Sequence, residues 1–234
     1  MSEYTIDNNI ASLAGEIASE LKFSHEIYSE SFYNFFLRIP RLSSSYDTIL
    51  ITVSDRLLDI HTLTPGKQIL VDGQFRSYNN MNPYGSKLLL TLFAREIEFI
   101  NDYNEIKNPN QIYLCGFICK KPVYRTTPFG REITDLLLAI NRPYNKSDYI
   151  PCIAWGRNAR YSRRLKVGDN IRIWGRIQSR DYQKKYDDGT VENKTAYEVS
   201  VTKMEIPNIN NMEERQEIQE IEDDDNNNQD QVLS

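Results

Sequence analysis

Apolar and polar residues alternate along this chain in short runs. From Asn170 to Arg180, Ile171, Ile173, Gly175, Ile177 and Ser179 fall on one side, and Arg172, Trp174, Arg176, Gln178 and Arg180 on the other. That period of two predicts a strand with one buried face. Gln111 to Lys120, Arg131 to Asn141, Tyr149 to Trp155 and Thr195 to Ile206 are β-branched or aromatic runs divided by turn residues, and they predict four more strands. Gly156 to Leu165, between the third and fourth strands, is the one helical candidate.

The whole pattern occurs twice. Asn9-x3-Leu13-Ala14-Gly15-Glu16-Ile17 returns 101 residues later as Asn110-x3-Leu114-Cys115-Gly116-Phe117-Ile118. Leu63-x2-Gly66-x2-Ile69-x-Val71-x-Gly73-x-Phe75-x-Ser77 returns, shifted by 102, as Leu165-x2-Gly168-x2-Ile171-x-Ile173-x-Gly175-x-Ile177-x-Ser179. Aligned glycines and aligned alternation imply one fold built twice, each copy of ordinary domain size. Ser54 to Leu63 is the matching helix of the first copy. Five strands with a helix between the third and fourth is the order of an OB-fold, a small Greek-key barrel. The expectation is an all-β chain of two tandem five-stranded OB-folds, residues 1–105 and 106–207, joined through a linker at Asn101 to Asn110. Residues 208–234 have few β-branched or aromatic side chains and the run Asp223-Asp224-Asp225-Asn226-Asn227-Asn228, so a disordered acidic tail is expected there.

Charge sorts the copies. Residues 1–109 hold 9 Lys and Arg against 14 Asp and Glu, residues 110–207 hold 18 against 10, and residues 208–234 hold 1 against 9. A basic domain beside an acidic tail is the footprint of a nucleic-acid binder, although a solvated surface can also be basic. The longest apolar runs, such as Ile49 to Val53 and Leu136 to Ile140, fall far short of the roughly 20 residues of a membrane span. The start, Met1 to Asp7, lacks the pattern of a secretory signal, so a cytoplasmic, nucleoid-associated protein is expected. Cys115, Cys119 and Cys152 lie in apolar strands without a second Cys-x2-Cys or paired histidines, which favours free thiols over a disulfide or a metal.

Catalytic motifs are missing. His25 and His61 stand apart, and the sequence has no phosphate loop, nucleophile elbow or His-Glu-x2-His, so no enzyme, cofactor or metal is expected. The outward column Arg172, Trp174, Arg176 and Arg180 instead suits a nucleic-acid strand, because guanidinium groups meet phosphates while aromatic faces stack on bases. The alternative for Trp174 is burial at an oligomer contact. Tyr144, Tyr149, Trp155, Tyr182 and Tyr186 add aromatics near loops rich in Lys and Arg. Trp155 shares a strand face with Ile153 and could equally belong to the core.

Residues 110 to 207 resemble the bacterial single-stranded DNA-binding protein family. The resemblance is carried by Asn110-x3-Leu114-x-Gly116, Thr127-Pro128-x-Gly130, Leu138-Ala139-Ile140-Asn141-Arg142, Cys152-x-Ala154-Trp155-Gly156-x2-Ala159, Leu165-x2-Gly168-Asp169 and Gly175-Arg176-Ile177-Gln178-Ser179-Arg180. It implies base stacking at Tyr144, Tyr149, Trp155 and Tyr182, and phosphate contacts near Lys120, Arg125, Arg157, Arg176 and Arg180. It also implies four barrels per assembly, which a double-barrel chain reaches as a homodimer, and recruitment of replication or repair proteins by the acidic tail.

The first copy departs from this pattern. Val53 aligns with Trp155 and Asp72 with Trp174, and the outward column becomes Gln68, Leu70, Asp72, Gln74 and Arg76. That copy is expected to bind weakly through Tyr46, Tyr78 and Tyr84, or to serve assembly. The functional expectation is sequence-tolerant binding of single-stranded DNA in replication, recombination and repair. The alternatives are an adaptor that binds replication or mobile-element proteins, and a chaperone of single-stranded RNA.

Overall fold

The computed structural model describes residues 8–82, 85–186 and 189–207. The expected acidic tail and Tyr84 lie outside those residues. The described residues form twelve strands: β1 (Asn9–Ile17), β2 (Lys22–Ile27), β3 (Glu30–Pro40), β4 (Tyr46–Ser54), β5 (Gln68–Asn82) and β6 (Gly85–Phe99), then β7 (Asn110–Ile118), β8 (Val123–Thr126), β9 (Glu132–Arg142), β10 (Lys146–Trp155), β11 (Asn170–Lys185) and β12 (Val191–Glu205).

Each half closes into a five-stranded barrel. In the first, β1 pairs with β5, β5 with β6, β6 runs parallel to β4, β4 pairs with β3, and β3 returns to β1 at Glu16 opposite Arg38. The second repeats this circuit through β7, β11, β12, β10 and β9. Both are OB-folds. Closure explains the repeated glycines, since a Cβ on Gly73 would stand 2.2 Å from the Phe93 carbonyl oxygen and one on Gly175 2.3 Å from that of Ser200. Each glycine sits beside a register shift in its ladder, where the strand bends to close the barrel.

Four local expectations change. Each barrel carries an additional strand, β2 or β8, added antiparallel to β3 or β9. The second-copy helix shortens to α1 (Arg157–Ser162), which buries Ala159 and Ser162. In the first copy there is no α-helix at Ser54 to Leu63 but a single 3-10 turn, Ile60–Thr62. Here Asp55 accepts from the Ser31 backbone N–H and Asp59 from that of His61. The Asp59 bond is local and competes with helical ones, while the Asp55 bond ties the segment to β3, 24 residues earlier. Finally, Phe32 faces Ser54 where Ile133 faces Trp155, so the structural counterpart of Trp155 is Ser54 and not Val53.

The barrels join through an antiparallel ladder between β1 and β7, in which Ala11 faces Ile112. These two residues are the same position of the two copies, so a pseudo-two-fold axis passes between them. Ala14 donates to the Pro109 carbonyl and Cys115 to that of Asn8, each bond being the other's symmetry mate. Ala11 and Ile112 are buried, and one apolar cluster runs through both barrels.

Candidate nucleic-acid interface

Beside the shared ladder, each barrel places a buried aspartate under the other. Asp47 on β4 accepts from the Ser179 backbone N–H at 2.8 Å, while Ser179 Oγ accepts from the Thr48 N–H at 2.9 Å. The mirror arrangement has Asp148 accepting from Ser77 N–H at 2.8 Å and Ser77 Oγ accepting from Tyr149 N–H at 2.7 Å. The ion pairs are unequal. Asp47 holds both Arg41 and, at 2.9 Å, Arg176, whereas Asp148 holds Arg142 at 3.2 Å. Gln74 takes the place of Arg176 in the other copy. Burial raises the Asp148 carboxyl above its ordinary range, with the Ser77 N–H, Arg142 and Arg76 opposing the rise.

This junction decides which arginines of the column remain available. Arg176 is spent on Asp47 and on Gln178. Arg125, on β8, makes two bonds to Asp135, at 2.8 and 3.2 Å. Lys120, Arg157, Arg172 and Arg180 are exposed, and among the described residues they form no ion pair. Arg157 opens α1 two residues after Trp155, with Gly156 as the N-cap between them.

The aromatics fall into three places. Trp155 ends β10, outside the apolar cluster, and its half-buried indole donates to Ser200 Oγ at 3.2 Å. Tyr149 shares that outward face and is exposed. Tyr144 sits at the tip of the β9–β10 hairpin, 94% exposed, with φ of 62°. A non-glycine residue in that left-handed region is uncommon and carries a strain cost. Tyr182 lies on the β11–β12 hairpin with the Arg180 guanidinium 5.9 Å from its ring, and Tyr186 lies near its tip with Lys184 at 4.7 Å. Trp174 stands apart. It packs against Tyr113 of β7, ring centroids 5.1 Å apart, with the Lys203 ammonium 4.6 Å from its own ring. Eight residues of β11 separate Trp174 from Tyr182 (182 − 174), about 26 Å of strand. The predicted residues therefore form a band along β10 and β11, not a cluster.

Tyr113 and Lys203 were invisible as site residues because only the pairing of Trp174 with both strands brings them together. Burial pushes the Cys152 thiol far above its usual range, so it is no nucleophile at neutral pH. Lys194, which donates to Tyr186 and lies beside Glu192, is held protonated by those partners.

Residues 109–207 match the sequence model of the single-strand binding protein family. The match spans the second barrel. The chain is 33% identical over 81 residues to single-stranded DNA-binding protein 3 of Listeria innocua serovar 6a, covering 32% of this chain and 51% of that one. It is 30% identical over 111 residues to single-stranded DNA-binding protein A of Bacillus subtilis, covering 44% and 59%. The chain thus spans about half the length of the curated relatives it matches. The crystal structure of the single-stranded DNA-binding protein from Thermus aquaticus superposes with a TM-score of 0.64 at 18% identity, covering 87% of this chain and 94% of that one. That likeness spans both barrels, where the family match covers one, and at such identity it speaks for the fold.

Proposed function

We propose that the chain binds single-stranded DNA without sequence preference and protects exposed strands during replication, recombination and repair. It does so by binding, not catalysis. The observation that carries this reading is the outward side of the second barrel, which presents Trp155, Tyr149, Tyr144 and Tyr182 together with the cations Arg157, Arg172 and Arg180, none of them in an ion pair among the described residues. Aromatic faces stack on any base and guanidinium groups follow the phosphates, so neither encodes a sequence. Trp174, braced between Tyr113 and Lys203, adds an aromatic ring farther along β11. A homodimer would present four barrels to one strand, in the cytoplasm and at the nucleoid, and residues 208–234 would recruit replication or repair proteins.

Both tryptophans lie in the second barrel, so intrinsic fluorescence reports on this surface. Titration with oligothymidine should quench it strongly, and duplex of equal length should not. Equal response to both, or none to oligothymidine, overturns the proposal. A matched RNA oligomer that binds more tightly than the DNA would redirect it to RNA.

A further inference from the structure

The first barrel lacks a tryptophan where the second has Trp155, but the loss is compensated across the strand pair. In the parallel pairing that closes the second barrel, Ile153 faces Ser200, and the indole of Trp155 bonds to that serine. The same pairing in the first barrel sets Thr52 against Phe93. Ser54 therefore replaces the indole while Phe93 replaces the serine, and one patch of each barrel carries an aromatic ring delivered from opposite strands. Phe32 lies 5.8 Å from Phe93, and His25 stacks on Phe32 at 4.8 Å.

Cations have been added around this ring. Arg76 and Arg95 place their guanidinium groups 4.2 and 5.4 Å from the Phe93 centroid. Their positional counterparts in the second barrel, Gln178 and the bulged Thr202, are uncharged. Together with Arg56 they line a cleft of about 410 Å³ whose one acidic wall residue is Glu30, bound to Arg56 at 3.5 Å. Three cations thus face one carboxylate. Burial pushes the Arg76 guanidinium below its ordinary range, Arg142 and Arg95 add repulsion, and its buried Nε has no hydrogen-bond partner. Tyr78, and Asp148 across the junction, offset only part of this. Tyr28, 95% exposed at the β2–β3 turn with φ of 51°, accepts a bond from Arg56 through its carbonyl and presents a free ring at the rim.

A half-desolvated arginine with spare donors is completed by an anion with several acceptor oxygens, such as a phosphodiester. We propose that the cleft of Arg56, Arg76 and Arg95 is a second single-strand site, which holds a backbone phosphate while Arg95 and Tyr28 offer flat faces to the neighbouring bases. The inference rests on the single-strand reading above and adds that the first barrel binds through residues of its own. A strand leaving the second barrel would then continue onto the first, lengthening the occluded segment.

The test uses the full chain carrying Arg56→Ala with Arg95→Ala. Both side chains are exposed, so folding, checked by circular dichroism, should persist. A long oligothymidine, followed by anisotropy, should lose about tenfold in affinity, and its salt slope should fall by about 0.7, the share of the one phosphate contact removed. A short oligothymidine that just saturates tryptophan quenching should bind as to the unaltered chain. Unchanged affinity and slope for the long oligomer would overturn the second site while leaving the second-barrel reading intact. Failure of the unaltered chain to bind either oligomer would overturn both.

Discussion

Ile69, Val71 and Phe75 in the first barrel and Ile171, Ile173 and Ile177 in the second hold the same places on the strand that follows the shared ladder, and all are fully buried. One turn of side chain outward, the two strands have nothing in common: Gln68, Leu70, Asp72 and Gln74 stand where Asn170, Arg172, Trp174 and Arg176 do. The contrast separates two kinds of constraint. Interior positions are fixed by packing to crystal-like density and by the closing bends at Gly73 and Gly175. Outward positions answer to a ligand or to the other barrel, and there the copies have diverged in charge and in which strand supplies an aromatic ring.

The junction offers the sharpest break of this comparison. Asp47→Ala should cost on the order of 3 kcal/mol in urea unfolding, because it strands Arg41, Arg176 and the Ser179 N–H together in a half-buried place. Asp148→Ala should cost clearly less, since it strands one paired arginine, Arg142, and removes a carboxylate whose burial is already poorly compensated. Equal losses would show that the unequal ion pairs do not matter to stability.

Next in size are the stacking residues. Trp155→Ala and Tyr182→Ala should each weaken oligothymidine binding by about 1 to 3 kcal/mol with the fold retained. Trp155 lies outside the apolar cluster, so a collapse of the domain on Trp155→Ala would contradict its placement here. Smaller again, Arg157→Ala with Arg172→Ala should lower the log-log salt slope of binding by about 1.4, while Arg176→Ala, already tied to Asp47, should change stability more than slope. A slope that falls with Arg176→Ala alone would reverse that assignment.

The smallest expected effect is one of pH. The folded Asp148 carboxyl keeps its proton more tightly than the unfolded one. Folding is therefore favoured while the group is protonated, and that advantage is lost as pH rises from about 4 through the raised folded value. Asp148→Asn should flatten this part of the stability profile, measured by thermal melts across the acidic range. A profile that Asp148→Asn leaves unchanged would assign the pH dependence to other carboxylates.

Much of the fold was legible. Period-two alternation located the five barrel strands of the second copy to within a few residues, and the internal repeat carried them into the first. The added strands β2 and β8 escaped because β2 is exposed along its length and β8 nearly so, leaving no apolar rhythm to read. The first-copy helix failed because Asp59 bonds its own neighbourhood and Asp55 is held by Ser31 of β3, 24 residues away. Of the site, the aromatic and cationic positions of the second barrel were legible as residue types on a known strand face. Their availability was not. Nothing local to Arg176 reveals that Asp47, 129 residues away, neutralises it.

What the sequence determined by itself was a repeated all-β architecture and a basic second copy, because alternation, turn glycines and net charge are properties of neighbouring residues. Tertiary structure alone decided how the two copies meet, which arginines stay free, and where the first barrel keeps its ring. A pseudo-two-fold ladder between β1 and β7 and a parallel contact between β4 and β6 bring together residues far apart in the chain. Phe93 can stand in for Trp155 only because two strands lie side by side, and hydrogen-bond pairing across a closed barrel is not written in the order of the residues along either strand.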